Sequence, residues 1–270
     1  MSRGPEARLL ALDIDGTLMS YDGVISDEVR AVVSQIRADG THVVLATGRG
    51  VHSAVPVAVE LGLTDGWVVC SNGAVTARLD PASAPGYQIV RTVTFDPGPA
   101  LRAIVRELPD ALYAVEDLGI GFRVSGDFPE GELSGELERV TFEELTTTPA
   151  TRVVIRSPNS SPDDFHAVVE RVGLHEVEYA VGWSAWLDLT PGGVSKASAL
   201  EEIRQELGVE PHRTVAIGDG SNDVQMLRWA ARGVAMGHAP DSALLAADEV
   251  TGTIEDDGAL NVLLSVLSGS

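Results

Sequence analysis

Four short apolar runs, each closing on a small polar cluster, constrain this chain more than any other feature. Residues 8–13 (RLLALD) lead into Asp13-Ile14-Asp15-Gly16-Thr17, and residues 42–46 (HVVLA) into Thr47-Gly48-Arg49. Residues 67–70 (WVVC) lead into Ser71-Asn72-Gly73, and residues 213–217 (RTVAI) into Gly218-Asp219-Gly220. Runs this short, apolar at both parities, suit strands buried on two faces of a parallel sheet. Stretches of helical period separate them. One opens at Ser26-Asp27-Glu28, carries Val29, Val32, Val33 and Ile36 on one face and stops near Gly40. Others run from Val51 to Leu61, from Val194 to Leu207, from Asp223 to Ala231, from Asp241 to Ala247 and from Gly258 onward. Strand and helix in alternation predict an α/β fold with a doubly wound parallel sheet.

The middle of the chain breaks that rhythm. It has Pro/Gly punctuation at residues 80–86 and short alternating runs such as residues 88–93. Helices are expected near 98–108 and 163–172, and strands near 112–115, 152–155 and 177–181. We therefore expect a discontinuous core of residues 1–79 and 187–270, with residues 80–186 forming an inserted α/β domain around a largely antiparallel sheet. Trp183 and Trp186 flank the return from the insert and are expected to pack in a core rather than wall a pocket.

Charge narrows the partners. Forty Asp plus Glu against nineteen Lys plus Arg give a formal charge of −21. A field of that sign repels nucleic acid and anionic membrane, so neither is expected as a partner. No apolar run approaches the length of a membrane span. One cysteine, Cys70, cannot form an internal disulfide, which with the absence of a signal-like N-terminal stretch suits a cytoplasmic protein. A monomer or weak homodimer is expected. Eighteen of the nineteen cations are Arg, and Lys196 is the only lysine. A lysine kept in so arginine-rich a chain suggests a place where a compact point charge fits and a planar fork does not.

In open α/β sheets, ligands bind beyond the carboxyl ends of the strands. Asp13, Asp15, Thr47, Gly48, Arg49, Asn72, Asp219, Asn222 and Asp223 all fall there, and Lys196 opens a helix near the same edge. Four carboxylates together call for a cation, and oxygen donors of this kind suit Mg²⁺.

These residues resemble the motifs of the haloacid dehalogenase superfamily. Asp13-Ile14-Asp15-Gly16-Thr17-Leu18 is similar to its first motif, Thr47-Gly48-Arg49 to the second, Lys196 to the third and residues 218–223 (GDGSND) to the fourth. Their order and the large insert resemble the Cof-type subfamily, subclass IIB, with a Rossmann-like core and a type C2 cap. The resemblance implies a Mg²⁺-dependent phosphatase of small phosphate esters, with sugar phosphates favoured. It implies Asp13 as nucleophile, forming an aspartyl-phosphate, and Asp15 as general acid and base. Thr47, Gly48 and Lys196 would bind the phosphoryl group. Asp13, Asp15 through its backbone carbonyl, Asp219 and Asp223 would hold the metal, with Asn222, Asn72 and Arg49 in support. Asp15 is absent from the dehalogenase branch, so its presence argues for phosphoryl transfer. His238 stands where the subfamily usually has Asn. A phosphotransferase or mutase on the same fold, and a non-catalytic sensor of phosphorylated ligands, are the alternatives.

Overall fold

The structure is a computed structural model that describes residues 8–172, 174, 177–181 and 185–268. Its strands in chain order are β1 (Leu9–Leu12), β2 (His42–Ala46), β3 (Gly66–Cys70), β4 (Val75–Leu79), β5 (Tyr87–Thr92), β6 (Leu112–Asp117) and β7 (Gly121–Val124). There follow β8 (Glu136–Arg139), β9 (Val153–Arg156), β10 (Val177–Val181), β11 (Trp186–Pro191), β12 (Thr214–Gly218), β13 (Arg232–Ala235) and β14 (Glu249–Val250). The helices are α1 (Asp27–Ala38), α2 (Val51–Glu60), α3 (Gly98–Glu107), α4 (Phe142–Thr147) and α5 (Pro162–Val172). The chain continues with α6 (Lys196–Glu206), α7 (Val224–Trp229), α8 (Asp241–Leu244) and α9 (Gly258–Leu267).

Eight strands form one sheet in the order β14-β13-β12-β1-β2-β3-β4-β5. It is parallel from β14 to β3 and antiparallel beyond. Alternate residues of β1 serve opposite faces, as the pleat requires. Leu10 and Leu12 pack with α1 and α9 through Val29, Val33, Val262 and Leu263. Leu9 and Ala11 pack with α6 and α7 through Leu200, Ile203 and Met226. Each fully buried leucine contributes about 2 kcal/mol in area removed from water, so a doubly covered strand is the most stable place for this run. The chain leaves β1 towards β2 on one side and returns as β12 on the other, which opens a crevice at the ends of β1 and β12.

The second sheet has the order β10-β11-β9-β6-β7-β8, antiparallel except for β7–β8. One face is covered by α3, α4 and α5, whose Leu101, Ile104, Leu145, Phe165 and Val169 pack with Val115, Val153, Ile155, Leu187 and Leu189. The other face carries Ala114, Phe122, Val124 and Val154, with Trp186 against them. Trp186 thus packs as the sequence predicts, while Trp183 lies outside the described residues.

Two strands depart from the sequence-based boundaries. β5, expected in the insert from residue 80 onward, is hydrogen bonded to β4 and ends the larger sheet. The turn that closes this hairpin is fixed where the Asp80 amide donates to the Gly86 carbonyl at 2.9 Å. Its alternating pattern is the same in either sheet, so the pattern alone could not assign it. Residues 187–191, expected in the core, continue β11 in the smaller sheet, because Leu187 and Leu189 supply that sheet's helix-covered core.

Candidate active site

The carboxyl ends of β1 and β12 bring the first group together. Asp13 follows β1, and its amide donates to the Ile217 carbonyl of β12 at 3.0 Å, fixing the end of one strand to the other. Its side chain is buried, and Oδ1 accepts a hydrogen bond from Lys196 Nζ at 2.6 Å. Nζ donates equally to Asp223 Oδ1, also at 2.6 Å. Lys196 is the first residue of α6, behind a cap in which Ser195 Oγ accepts from the Ser198 amide at 3.2 Å. A cation at a helix N-terminus opposes the helix dipole, so the two carboxylates, not the helix, account for its place. Both oxygens of Asp223 are occupied, since Oδ2 accepts from the amides of Asp219 at 3.0 Å and Gly220 at 2.8 Å. Thr17 Oγ1 lies 3.3 Å from both Asp13 Oδ2 and Asp219 Oδ1.

Gly16 lets this assembly close. Its φ is +76°, and a Cβ there would lie 2.3 Å from Asp219 Oδ2. Only glycine gives both the backbone conformation and the space.

The ends of β2 and β3 supply the second group. Thr47 follows β2, with its amide donating to Val69 of β3 and its hydroxyl accepting from the Arg49 amide at 3.1 Å. Asn222 Nδ2 donates to Asn72 Oδ1 at 2.9 Å across the crevice, and a Cβ on Gly48 would lie 3.2 Å from that same Oδ1. Ser71 (φ 49°), Asn72 (φ 53°) and Gly73 (φ 103°) form a tight left-handed turn. It presses against the start of α6, so that a Cβ on Gly73 would lie 2.1 Å from the Ser195 carbonyl oxygen. Two non-glycine residues in this region cost about 1–2 kcal/mol each, strain of the kind found where a functional edge is held in shape.

Asp15 stands apart. Its carboxylate is directed to Arg49, accepting from Nε at 2.8 Å and Nη2 at 2.5 Å, and its side chain is 51% exposed. It lies outside the Asp13–Asp219–Asp223 group, whose ligand oxygens all fall within 4.8 Å of one another.

Comparison with known proteins places this arrangement. A family model for haloacid dehalogenase-like hydrolases matches residues 10–96 and 127–263. The chain belongs to that family. The hydrolase is 28% identical over 272 residues to the 5-amino-6-(5-phospho-D-ribitylamino)uracil phosphatase YitU of Bacillus subtilis, covering 96% of this chain and 97% of the relative. It is 29% identical over 251 residues to a phosphoglycolate phosphatase of Methanoculleus marisnigri, with 93% of each covered. Its fold matches that of the subclass IIB sugar phosphatase BT4131 with a TM-score of 0.80 and 23% identity, over 96% of this chain and 98% of the other. The doubly wound α/β architecture read from the sequence holds.

Within the hydrolase, the donor set fits a hard divalent cation. Three carboxylates face one ammonium. Burial raises the Asp13 carboxyl well above its ordinary range; Lys196 pulls it down, while Asp223, Asp219 and Asp15 push it further up. Asp219 is raised from 3.8 to about 6 by burial and by Asp223, against the pull of Lys196 and His238. Lys196 is desolvated, yet its carboxylate neighbours raise it above its ordinary value, so it stays charged. The surplus of negative charge is what a divalent ion with oxygen ligands would neutralise.

The structure adds residues that the motifs do not announce. Thr17 was visible only as part of a motif, without a role. The Tyr21 hydroxyl, pushed up to about 12 by partial burial and the nearby Asp219 carboxylate, stands at the rim. Its ring meets His238 edge to face, with centroids 6.3 Å apart. His238 Nδ1 accepts from the Ile254 amide at 3.3 Å, so in the neutral ring the proton sits on Nε2, which lies 3.5 Å from Asp219 Oδ2. From the smaller sheet, Glu116 accepts hydrogen bonds from Ser71 Oγ at 2.7 and 2.9 Å and from Thr151 Oγ1 at 2.7 Å. Tyr21 and Glu116 carry no motif, whereas Thr17 and His238 stand at motif positions whose contacts the sequence does not show. They are found by the edge they face.

Proposed function

We propose that this hydrolase is a Mg²⁺-dependent phosphatase of small phosphate esters, working through an aspartyl-phosphate on Asp13. One observation carries the reading. Two aspartates two positions apart occupy opposite environments, Asp13 buried against Lys196 and two further carboxylates, Asp15 half exposed on Arg49. Environments that differ this much give two carboxyl groups two roles. The relatives that are named phosphatases over nearly their whole length support the same reading.

Asp13 and Asp219, with the Asp15 backbone carbonyl, would hold Mg²⁺, and Asp223 would act from behind, because its oxygens already hold Lys196 and the 219–220 turn. Bound there, the ion supplies positive charge that keeps Asp13 ionised and stabilises charge on the transferring phosphoryl group. Lys196 holds the Asp13 carboxylate in place and neutralises part of the incoming phosphate. Thr47 and the Gly48 amide bind phosphoryl oxygens, and Asn72 and Asn222 keep that loop fixed. An Asp13 oxygen bonds to phosphorus while the bond to the leaving oxygen breaks, and Asp15 gives that oxygen its proton. Water then attacks phosphorus, Asp15 takes a proton from it, and the bond to Asp13 breaks. Arg49 occupies both carboxylate oxygens of Asp15, so that pair must part before Asp15 can reach the leaving oxygen.

The test is phosphate release in Mg²⁺ from p-nitrophenyl phosphate and a panel of sugar phosphates. Release that disappears in Asp13→Asn and in EDTA supports the reading. Release that persists in Asp13→Asn overturns the covalent route. The same panel run with a sugar acceptor separates hydrolysis from transfer.

A further inference from the structure

A carboxylate of the smaller sheet is buried against the loops that follow β2 and β3. Glu116, on β6, is 4% exposed, and its oxygens accept from Ser71 Oγ at 2.9 and 2.7 Å and from Thr151 Oγ1 at 2.7 Å. Its amide donates to the Arg152 carbonyl at 2.9 Å, and its charge acts on the buried Arg152 guanidinium. Burying a carboxylate is costly unless its oxygens are used. Both are used here, and a Cβ on Gly50 would lie 2.6 Å from Oε1. Gly50 is the N-cap of α2, a helix with no capping side chain and no acidic residue in its first turn. Glu116 thus stands at the positive end of that helix, where a carboxylate is favoured. With its oxygens taken by two hydroxyls and closed in by the start of α2, Glu116 is not free to bind a leaving group. What it holds is Ser71.

Ser71 carries that contact to the phosphate side of the crevice. It is fully buried, and it opens the left-handed turn with Asn72 (φ 49° and 53°). Such backbone persists at non-glycine residues only where the surroundings hold it. The Ser71 amide donates to the Arg49 carbonyl at 2.9 Å, and the Asn72 amide to the Thr47 carbonyl at 3.0 Å. A displacement of the turn is therefore passed directly to the Thr47–Arg49 loop. Asn222 is reached as well, because its Nδ2 donates to Asn72 Oδ1. A second contact crosses the same junction, between His52 Nε2 and Ser134 Oγ at 3.1 Å. It joins α2 to the loop before β8 and bypasses the turn, so Glu116 and Ser134 can be told apart by experiment.

Resting on the phosphatase reading, we propose that Glu116 is a positioning residue that, by holding Ser71, keeps the Thr47–Arg49 loop in the shape that binds the transferring phosphoryl group. The effect is independent of the leaving group. A residue that recognised the leaving group would leave the affinity for inorganic phosphate, which has none, untouched. The experiment titrates inorganic phosphate in MgCl₂ by calorimetry into the wild type, Ser71→Ala, Glu116→Leu and Glu116→Gln. Ser71→Ala breaks the contact without touching the smaller sheet, so the test stands even if Glu116→Leu fails to fold. Phosphate affinity is expected to fall about tenfold in Ser71→Ala and in Glu116→Leu, and no further when the two are combined. Glu116→Gln, whose amide oxygen still accepts, should recover most of it. Acetyl phosphate and sorbitol 6-phosphate should lose kcat/KM by the same factor, and Ser134→Ala should leave phosphate affinity unchanged. Without Mg²⁺ or phosphate, Ser71→Ala should also speed amide hydrogen exchange at residues 47–50 and 71–73. An affinity within about twofold of wild type, a loss confined to sorbitol 6-phosphate, or an equal loss in Ser134→Ala overturns the assignment. A wild type that binds no inorganic phosphate overturns it too. Binding that depends on Glu116 without phosphate release from any ester sinks the phosphatase reading alone.

Discussion

The only lysine of the chain, Lys196, places its ammonium 2.6 Å from Oδ1 of Asp13 with no solvent between them and no exposure of its own. Its second partner, Asp223, is as close and as buried. Lys196→Met leaves two buried carboxylates facing each other and is expected to cost about 3–5 kcal/mol of stability, read by denaturant unfolding. Lys196→Arg keeps the charge but has no room for a planar fork and should recover little activity. Full activity in Lys196→Arg would show that charge alone suffices there.

Stability of the metal-free protein should depend on pH with a definite sign. Asp219 is raised in the folded state from 3.8 to about 6, and Asp13 is raised as well. A carboxyl that binds its proton more tightly when folded loses stabilisation as pH rises through that window. For Asp219 the effect is on the order of 3 kcal/mol, or about 8 °C in Tm for a chain of this size. Mg²⁺ binds the ionised cluster, so the gain in Tm on replacing EDTA by MgCl₂ should be small at pH 5 and larger at pH 7.5. A gain as large at pH 5 would contradict this.

Glycines at two left-handed positions should respond differently to alanine. Gly16→Ala would place a Cβ 2.3 Å from Asp219 Oδ2, whereas at Gly23 (φ +82°) nothing lies within 4 Å. Gly23→Ala should cost about 1 kcal/mol from backbone strain alone and leave Mg²⁺ affinity intact. Gly16→Ala should abolish Mg²⁺ binding by calorimetry. Equal effects of the two would show that Asp219 gives way.

Thr17→Val keeps the shape of the side chain and removes the hydroxyl that lies 3.3 Å from Asp13 and from Asp219. Mg²⁺ affinity should fall about tenfold, the usual cost of losing a group that orients metal ligands. Unchanged affinity would reduce Thr17 to a packing residue.

Much of the site was legible because its residues follow apolar strands in sequence. Asp13, Thr47, Asn72 and Asp219 each end such a run, and the fold carries those ends to one edge. Lys196 was legible through scarcity. The contribution of the smaller sheet was not. Glu116 and Arg152 reach the edge through a register that pairs β6 with β9 and a contact between Ser71 and Glu116, forty-five positions apart. Neither residue differs in sequence from an exposed charge on a half-buried strand. β5 was misassigned for a related reason, since alternation reveals a strand but not its partner.

The two sheets also meet at the catalytic edge. Asp13, Asp219 and Asp223 follow strands of the eight-stranded sheet, and Lys196 at the start of α6 is held to Asp13 and Asp223 by two short hydrogen bonds. The six-stranded sheet meets that edge through Glu116 on Ser71 and through Glu178 on Gln225. The edge that carries the carboxylates is thus braced from two sheets, and a change in how those sheets sit together would be felt at Asn72 and Asn222 before it reached Asp13.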